Sequence, residues 1–283
     1  MEIGIFAKTF VRPTVGETLD AVAAQGLRTV QFNLACAGLP TLPDAIDPAL
    51  VEQIRAAFVE RGMTMAAISG TFNMIHPDRR VRADGLRRLG VLAEACHGLG
   101  TKVITLCTGT RDPENMWRAH PDNQSPSARA DLVASLDRAL LYAEQYDLTL
   151  AIEPEVNNVV DTAEQARRLL AAHETSRLRV VIDGANLIRP NKLPYMAAIL
   201  DETFALLGNY IILAHAKDLS RDAVPGHTAA GQGDLDFDRY LRLLTAAGYT
   251  GPLILHGLEE QQVPGSVAFL QKTLAAVGNA GGD

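Results

Sequence analysis

Four polar side chains in the second half of the chain have the chemistry to hold a divalent cation. Glu153, Asp183, His215 and His256 are each the first strongly polar residue after a short apolar run. Two carboxylates and two imidazoles offer two hard oxygens and two borderline nitrogens. Neighbouring acids repel each other, so a cation or the nearby Lys217 is needed to relieve the conflict. These residue types predict one divalent metal ion, and Mn²⁺, Mg²⁺, Zn²⁺, Co²⁺ and Fe²⁺ are all compatible.

Apolar runs of this kind alternate with longer amphipathic stretches along the whole chain. Short runs rich in β-branched residues predict eight strands, at residues 3–6, 29–32, 65–68, 102–106, 149–152, 179–182, 210–214 and 253–255. Stretches with apolar residues at helical spacing predict eight helices, at residues 18–25, 48–61, 82–99, 127–146, 162–173, 194–207, 236–247 and 265–277.

This strict alternation indicates a single (β/α)8 TIM barrel, an α/β fold that occupies residues 1–283 as one domain. The strand runs are almost continuously apolar, as expected for parallel strands that are covered on both faces. Several predicted helices end in glycine just before the next strand, at Gly26, Gly62, Gly100 and Gly248. An open doubly wound sheet is disfavoured because no GxGxxG motif follows the first strand.

The amino-acid composition limits which kinds of partner the protein is expected to bind and in which cellular compartment it is expected to be located. The 283 residues carry a formal net charge of −7, which disfavours binding to a nucleic-acid backbone. The three cysteines form no CxxC pair, which predicts a reduced intracellular protein without disulfides. We also expect no membrane partner, because the apolar stretches are too short to span a membrane. We expect no signal peptide, because the N-terminal residues lack a basic region followed by a long apolar one. The sequence therefore predicts a cytoplasmic protein and leaves a homo-oligomer open.

Polar residues after the predicted strands are candidates for substrate contact. Carboxyl ends of barrel strands converge at one face, so these side chains would ring a common mouth with donors and acceptors. The candidates are Asn73, His76, Arg111, Glu155, Asn157, Asn186 and Glu259. Such a ring suits a small polyhydroxylated ligand, and Arg111 offers a bidentate contact to a carboxylate or phosphate. His76 is equally suited to hydrogen bonding at a helix start. The long segment at residues 110–125, which includes Trp117, predicts a lid.

Four motifs in register on the last four predicted strands carry a family resemblance. They are Glu153-Pro154-Glu155 with Asn157, Asp183-Gly184-Ala185-Asn186, His215-Ala216-Lys217-Asp218, and the segment from Gly248 to His256 that reads GYTGPLILH. Together they resemble the xylose isomerase-like barrel superfamily over essentially the whole chain. That superfamily includes ketose 3-epimerases, hydroxypyruvate isomerases, inosose dehydratases and type-2 AP endonucleases.

The resemblance implies a metal-dependent isomerase or epimerase that acts on a small sugar or a sugar-derived keto compound. In the epimerase branch, Glu, Asp, His and Glu hold the metal, and the two Glu residues exchange a proton beside the ketone. Glu153, Asp183 and His215 match this pattern, whereas the fourth position is His256. Epimerases also carry a histidine where this chain has Asn186.

These departures change the mechanism that the resemblance implies, because one of the two proton-exchanging Glu residues is missing. Glu153 remains as the general base that forms an enediolate. His256 is a metal ligand or an acid, and Lys217 is a source of positive charge. Glu259 lies close enough in sequence to replace the missing carboxylate. Isomerisation needs a base on one face of the substrate only, and so it tolerates the loss of one Glu better than epimerisation does.

Other functions remain compatible with the sequence. A non-catalytic or metal-free sugar-binding barrel is compatible with the change to His256. A metal-dependent hydrolase or lyase is compatible as well. A phosphodiesterase like the AP endonucleases ranks lowest, because it needs a cluster of metals and the first two strands end in Lys8 and Asn33.

Overall fold

Eight parallel strands close into a barrel in which each strand pairs with the next and the last pairs with the first. The computed structural model describes residues 1–220 and 228–279. The strands are β1 (Ile3–Phe6), β2 (Thr29–Phe32), β3 (Thr64–Ser69), β4 (Val103–Cys107), β5 (Thr149–Glu153), β6 (Leu178–Asp183), β7 (Ile211–Ala216) and β8 (Leu253–Leu255). Closure leaves no unpaired sheet edge.

An outer ring of helices covers the barrel, one after each strand. The α-helices of the described residues are α1 (Val15–Ala24), α2 (Pro48–Glu60), α3 (Arg79–Leu99), α4 (Pro126–Gln145), α5 (Ala163–His173), α6 (Met196–Leu207), α7 (Phe237–Ala246) and α8 (Val263–Asn279). In the part of the chain that the structure describes, no helix is both long and apolar enough to cross a membrane. The predicted (β/α)8 barrel is confirmed, while the assignment of residues 1–283 to one domain stays a prediction.

Side chains just before the helices determine where several of them begin. Thr14 and Glu17 form a capping box at α1, and Asp78 accepts a backbone N–H at the start of α3. Ser125 and Thr162 do the same for α4 and α5. Each cap satisfies a backbone N–H that has no partner within the helix. Because helices start above the carboxyl ends of the strands, these caps also fix the loops around the barrel mouth.

The strands on the second half of the barrel run further than their apolar residues predict. Glu153 and Asp183 are the last residues of β5 and β6, and His215 lies inside β7. Parallel pairing continues through them, because Cys107 is in register with Glu153 and Asp183 with His215. The sheet itself therefore holds the backbone of these polar residues.

A small apolar layer fills the inside of the barrel beneath its mouth. It consists of buried residues on five strands, Ala67, Ala151, Val181, Leu213 and Ile254. The larger core lies between the outer face of the sheet and the helices. Side chains alternate between the two faces of a strand, so the residue two positions later also points inward.

One carboxylate just after β7 organises the loop that follows. Asp218 accepts backbone N–H groups from Leu219 and Leu235 at 2.9 Å each, from Gly231 at 2.9 Å and from Gly233 at 3.0 Å. A Cβ atom at Gly233 would collide with the Leu219 carbonyl oxygen, which explains the glycine there. The two ends of the loop are thereby joined through a single buried side chain.

Candidate active site

The strand periodicity brings the four predicted metal ligands to one place. Glu153, Asp183, His215 and His256 each lie two residues after a member of the interior apolar layer, namely Ala151, Val181, Leu213 and Ile254. They therefore point inward from four consecutive strands or strand ends, directly above that layer. This arrangement matches the prediction that the four side chains converge at the barrel mouth.

Three of the four form a compact group suited to a metal ion. Asp183, His215 and His256 each offer a ligand atom, and these atoms lie within 4.8 Å of one another. Asp183 Oδ2, His215 Nδ1 and His256 Nδ1 are buried without a geometrically good hydrogen bond, and Asp183 Oδ2 forms an ion pair of 3.3 Å with Lys217 Nζ. Buried polar atoms are rarely left unpaired, because each one costs free energy. One divalent cation fits this set of unpaired oxygen and nitrogen lone pairs.

The Glu153 carboxylate lies beside this group. Its Oε1 atom is 3.4 Å from His215 Nδ1 and accepts a hydrogen bond of 2.6 Å from Asn186 Nδ2. Asn186 Oδ1 in turn accepts a hydrogen bond of 2.6 Å from Lys217 Nζ. Asn186 thus links the cation of Lys217 to the carboxylate of Glu153 and fixes the position of both.

Burial and neighbouring charges shift the pKa values of the ligand group in opposite directions. Burial disfavours the charged form of Asp183, but the cation of Lys217 and contact with His215 outweigh it and hold the Asp183 pKa well below its usual range. For His215, burial is outweighed by Glu153 and Asp183, which raise its pKa to about 9. Burial lowers the pKa of His256 to about 3, with further lowering from His215 and Lys217. The neutral His256 ring stacks on His215, with centroids 4.9 Å apart.

Two other charged groups of the site also titrate unusually. Burial raises the pKa of Glu155 to about 7, and the neighbouring Glu153 carboxylate contributes in the same direction. Burial acts to lower the pKa of Lys217, but the carboxylates of Asp183, Glu153 and Glu155 outweigh it and raise the Lys217 pKa. Perturbed pKa values gathered in one cleft are typical of functional sites.

A cavity of about 850 Å³ opens above these residues. One side, which we call the charged wall, consists of Glu153, Glu155, His215, Lys217 and His256. The opposite side, which we call the neutral wall, consists of Gln31, Asn33, Ser69, Thr71 and Thr105. Phe6 and Trp117 add aromatic surface, and Lys8 also lines the cavity. This volume and mixture of groups are typical of a site for a small polar ligand.

The predicted substrate residues divide between the cavity and its surroundings. Those that line the cavity are Glu155, Asn157 and Asn186. Asn73 instead donates to the Thr110 carbonyl at 2.8 Å and does not line the cavity. His76 lies 3.1 Å from the Pro113 carbonyl through Nε2 and accepts a backbone N–H at the start of α3 through Nδ1. His76 thus makes the helix-start hydrogen bond that the sequence left as an equal alternative.

Arg111 and Glu259 are also engaged away from the cavity wall. Arg111 Nη2 lies 2.7 Å from Asp131 Oδ2 in a largely buried ion pair. Glu259 lies in the loop after β8, where it forms a capping box with Gln262. The predicted roles of Asn73, His76, Arg111 and Glu259 in substrate binding gain no support from these positions.

The lid segment, residues 110–125, lies over the cavity, in keeping with its length and position in the sequence. Its central part, from Asn115 to Ala119, lines the cavity. Asn157 Nδ2 donates to the Trp117 carbonyl at 3.3 Å, and Asn123 Nδ2 donates to the Asn157 carbonyl at 3.0 Å. Asn157 therefore joins the lid segment to the loop that carries Glu155.

Sequence reasoning missed the neutral wall and, above all, Gln31. This side chain is 3% exposed, and its Oε1 atom lies 2.8 Å from His215 Nε2. Its signal was present in the sequence, because Gln31 is a strongly polar residue inside the apolar β2 and at an inward position. Ser69, Thr71 and Thr105 carry weaker signals, since hydroxyl residues are common in buried strands.

Comparison with known protein families agrees with the barrel and its extent. The model of one family, described as xylose isomerase-like TIM barrel, matches residues 19–273. A comparison with curated proteins gives no match.

Solved structures with the same fold include several sugar epimerases. The 3-keto-D-glucoside 4-epimerase of E. coli is 20% identical, with a TM-score of 0.74, over 96% of this chain and 99% of that chain. An L-ribulose 3-epimerase is 16% identical, with a TM-score of 0.76, over 99% of this chain and 97% of that chain. The IolI protein, solved with a bound zinc atom, is 16% identical, with a TM-score of 0.71, over 98% of each chain.

Proposed function

Because the chain belongs to the xylose isomerase-like TIM barrel family, we propose that it is a metal-dependent sugar isomerase or epimerase. Its substrate is a small sugar or a sugar-derived keto compound. The observation that carries the proposal is the group of unpaired atoms on Asp183, His215 and His256, which lies beside the Glu153 carboxylate. A cation site next to a candidate base is an arrangement that favours proton abstraction beside a carbonyl.

Asp183, His215 and His256 hold the metal in this proposal. When bound, a divalent cation supplies positive charge that polarises a substrate carbonyl. In this proposal, His256 takes the place of the family's fourth glutamate, and its unpaired Nδ1 atom supports a role as metal ligand rather than in proton transfer. A neutral imidazole is a good ligand for such ions, and His256 has the low pKa that keeps it neutral.

Glu153 is the general base. It lines the cavity, and the hydrogen bond from Asn186 leaves the rest of its carboxylate available to a substrate C–H group. It removes the proton from the carbon next to the carbonyl, and the substrate becomes an enediolate. Lys217 lines the same wall and stabilises the developing negative charge through its ammonium group. Return of the proton from Glu153 to the former carbonyl carbon, together with transfer of the hydroxyl proton from one oxygen to the other, completes an isomerisation.

The neutral wall supports a polyhydroxylated substrate. Asn33, Ser69 and Thr71 present amide and hydroxyl groups to the cavity, which are the partners that sugar hydroxyls require. Relatives of the same fold act on sugars according to their names, including 3-keto-D-glucoside 4-epimerase and L-ribulose 3-epimerase. A phosphodiesterase with a metal cluster is less well supported, because the described residues contain one candidate group of three ligands.

Exchange of substrate hydrogen with solvent tests this proposal even when the product is unidentified. The purified protein is incubated in D₂O with a panel of ketoses, hydroxypyruvate and inososes, each with added Mn²⁺, Mg²⁺, Co²⁺ or Zn²⁺. We expect deuterium beside the carbonyl of at least one compound, and loss of this exchange after treatment with EDTA. A protein that exchanges no compound with any metal would instead be a non-catalytic barrel, and exchange that survives EDTA would exclude metal dependence.

A further inference from the structure

A buried amide faces the back of the candidate metal site. Gln31 points inward from β2, and its Oε1 atom lies 2.8 Å from His215 Nε2. The amide Nε2 atom of Gln31 donates to Thr105 Oγ1 at 3.3 Å. In this orientation, the Gln31 oxygen accepts a hydrogen bond from His215, so Nε2 carries a hydrogen whether the ring is neutral or protonated.

The position of that hydrogen decides what the opposite edge of the ring offers. A neutral imidazole has one N–H group, so a hydrogen on Nε2 leaves a lone pair on Nδ1. Nδ1 is buried without a hydrogen-bond partner and lies 3.4 Å from Glu153 Oε1 and 3.7 Å from Asp183 Oδ2. Without a metal, a proton on Nδ1 occupies this place between the carboxylates, and a bound cation would replace that proton. A neutral ring whose single hydrogen is on Nδ1 would instead donate to a carboxylate and offer no lone pair to a metal.

We propose that Gln31 is a positioning residue that sets the tautomer of His215, so that Nδ1 is the nitrogen that binds the metal. The inference rests on the metal site of the proposed function and extends it to a residue on the other side of the barrel. Histidine ligands usually donate their second N–H to an acceptor, and loss of such an acceptor typically costs about 10- to 100-fold in metal affinity. Gln31 supplies this acceptor from a neutral side chain.

Zinc binding by three variants tests the role without any sugar substrate. Gln31→Met keeps the length of the side chain and removes the acceptor, so we expect zinc affinity to fall by about 10- to 100-fold. Gln31→Glu retains an acceptor, and we expect affinity equal to or tighter than that of the parent. Phe32→Leu, at a buried neighbour on the same strand, controls for general loss of packing and should keep affinity within about threefold.

A long-range ¹H–¹⁵N spectrum of zinc-loaded protein with labelled histidines identifies the coordinating nitrogen. We expect Nδ1 of His215 to bind zinc and Nε2 to carry the hydrogen in the parent and in Gln31→Glu. Coordination through Nε2 in the parent, or parental zinc affinity in Gln31→Met, would overturn the inference. If zinc binding depends on Gln31 but no sugar exchanges hydrogen, the proposed activity fails and the inference stands. A parent protein that binds none of Mn²⁺, Mg²⁺, Co²⁺ and Zn²⁺ would refute both the metal site and the role of Gln31.

Discussion

The charged wall and the neutral wall of the cavity differ in the electrostatics of the side chains that they present. The charged wall crowds Glu153, Glu155 and Lys217 together, and burial with mutual interaction shifts the pKa of each of them. The neutral wall presents hydroxyl and amide groups such as those of Thr71 and Asn33, which have no charge to neutralise. The two surfaces face the same space of about 850 Å³.

From this difference we expect the charged wall to carry out the chemical step and the neutral wall to recognise the substrate. Buried charges are stable only as a compensated set, so a substitution in the charged wall disturbs several neighbours at once. A neutral hydrogen-bonding group acts almost alone, and its net worth is about 0.5–1.5 kcal/mol. The effects of substitutions should therefore be large and coupled in the charged wall, and small and separable in the neutral wall, except at Gln31, which contacts His215.

Loss of the base in the charged wall should give the largest effect. Glu153→Gln keeps an acceptor for Asn186 but removes the proton acceptor, so we expect kcat to fall by about 10³-fold, within the usual range for general-base catalysis. Steady-state turnover of the best substrate from the exchange panel measures this, with circular dichroism as a control for folding. Turnover within about threefold of the parent would remove Glu153 from the role of base.

Loss of a charged ligand should abolish metal binding. Asp183→Asn removes a buried anion from the group with His215 and His256, and we expect elemental analysis to find far less than one metal ion per chain. Metal at 100 times its Kd should stabilise the parent by about 2.7 kcal/mol, or roughly 5–10 °C in Tm, and should not stabilise the variant.

A surface carboxylate provides the matched control for this experiment. Asp201 forms an exposed ion pair with Arg239 on the outside of the barrel. Asp201→Asn should therefore keep both the metal content and the metal-dependent rise in Tm. Equal metal content in the Asp183 and Asp201 variants would show that the metal binds elsewhere.

Removal of the Asn186 side chain, which links Lys217 to Glu153, should have an effect of intermediate size. Asn186→Ala breaks the connection between Lys217 and Glu153, and we expect kcat to fall by about tenfold with little change in KM. Asn186→Asp should be worse, because it places a second carboxylate against Glu153. A rise in KM with unchanged kcat would assign Asn186 to substrate binding instead.

The neutral wall should yield the smallest change. Thr71→Val replaces a cavity-lining hydroxyl with a methyl group, and we expect KM to rise by about fivefold, equivalent to one neutral hydrogen bond. The values of kcat and metal content should stay within about twofold of the parent. A loss of bound metal in Thr71→Val would mean that the two walls are coupled beyond the contact of Gln31 with His215, and the distinction between them would not hold.

Local sequence patterns were sufficient to predict the fold and to name the residues of the charged wall. The strands are apolar and the helices amphipathic, so the eight repeats are visible in the order of residues alone. Glu153, Asp183, His215 and His256 could be grouped because each follows an apolar strand run, and the ends of parallel barrel strands converge. The topology of the barrel thus brings residues that are distant in the sequence close together in space.

The remaining site residues depend on contacts that no local pattern encodes. Arg111 lies in a loop, and its pairing with Asp131 of α4 arises only when the loop folds back on the barrel. Gln31 and His215 are separated by 184 positions, and only barrel closure brings them together. The cytoplasmic location and the homo-oligomer that the sequence left open stay predictions.

The loop closed by Asp218 has a consequence for engineering. One carboxylate accepts hydrogen bonds from the backbone of Leu219, Gly231, Gly233 and Leu235, so both anchor points of the loop depend on the same side chain. Asp218 should therefore be retained in any redesign near this end of the barrel, because loss of its carboxylate would release both anchor points at once.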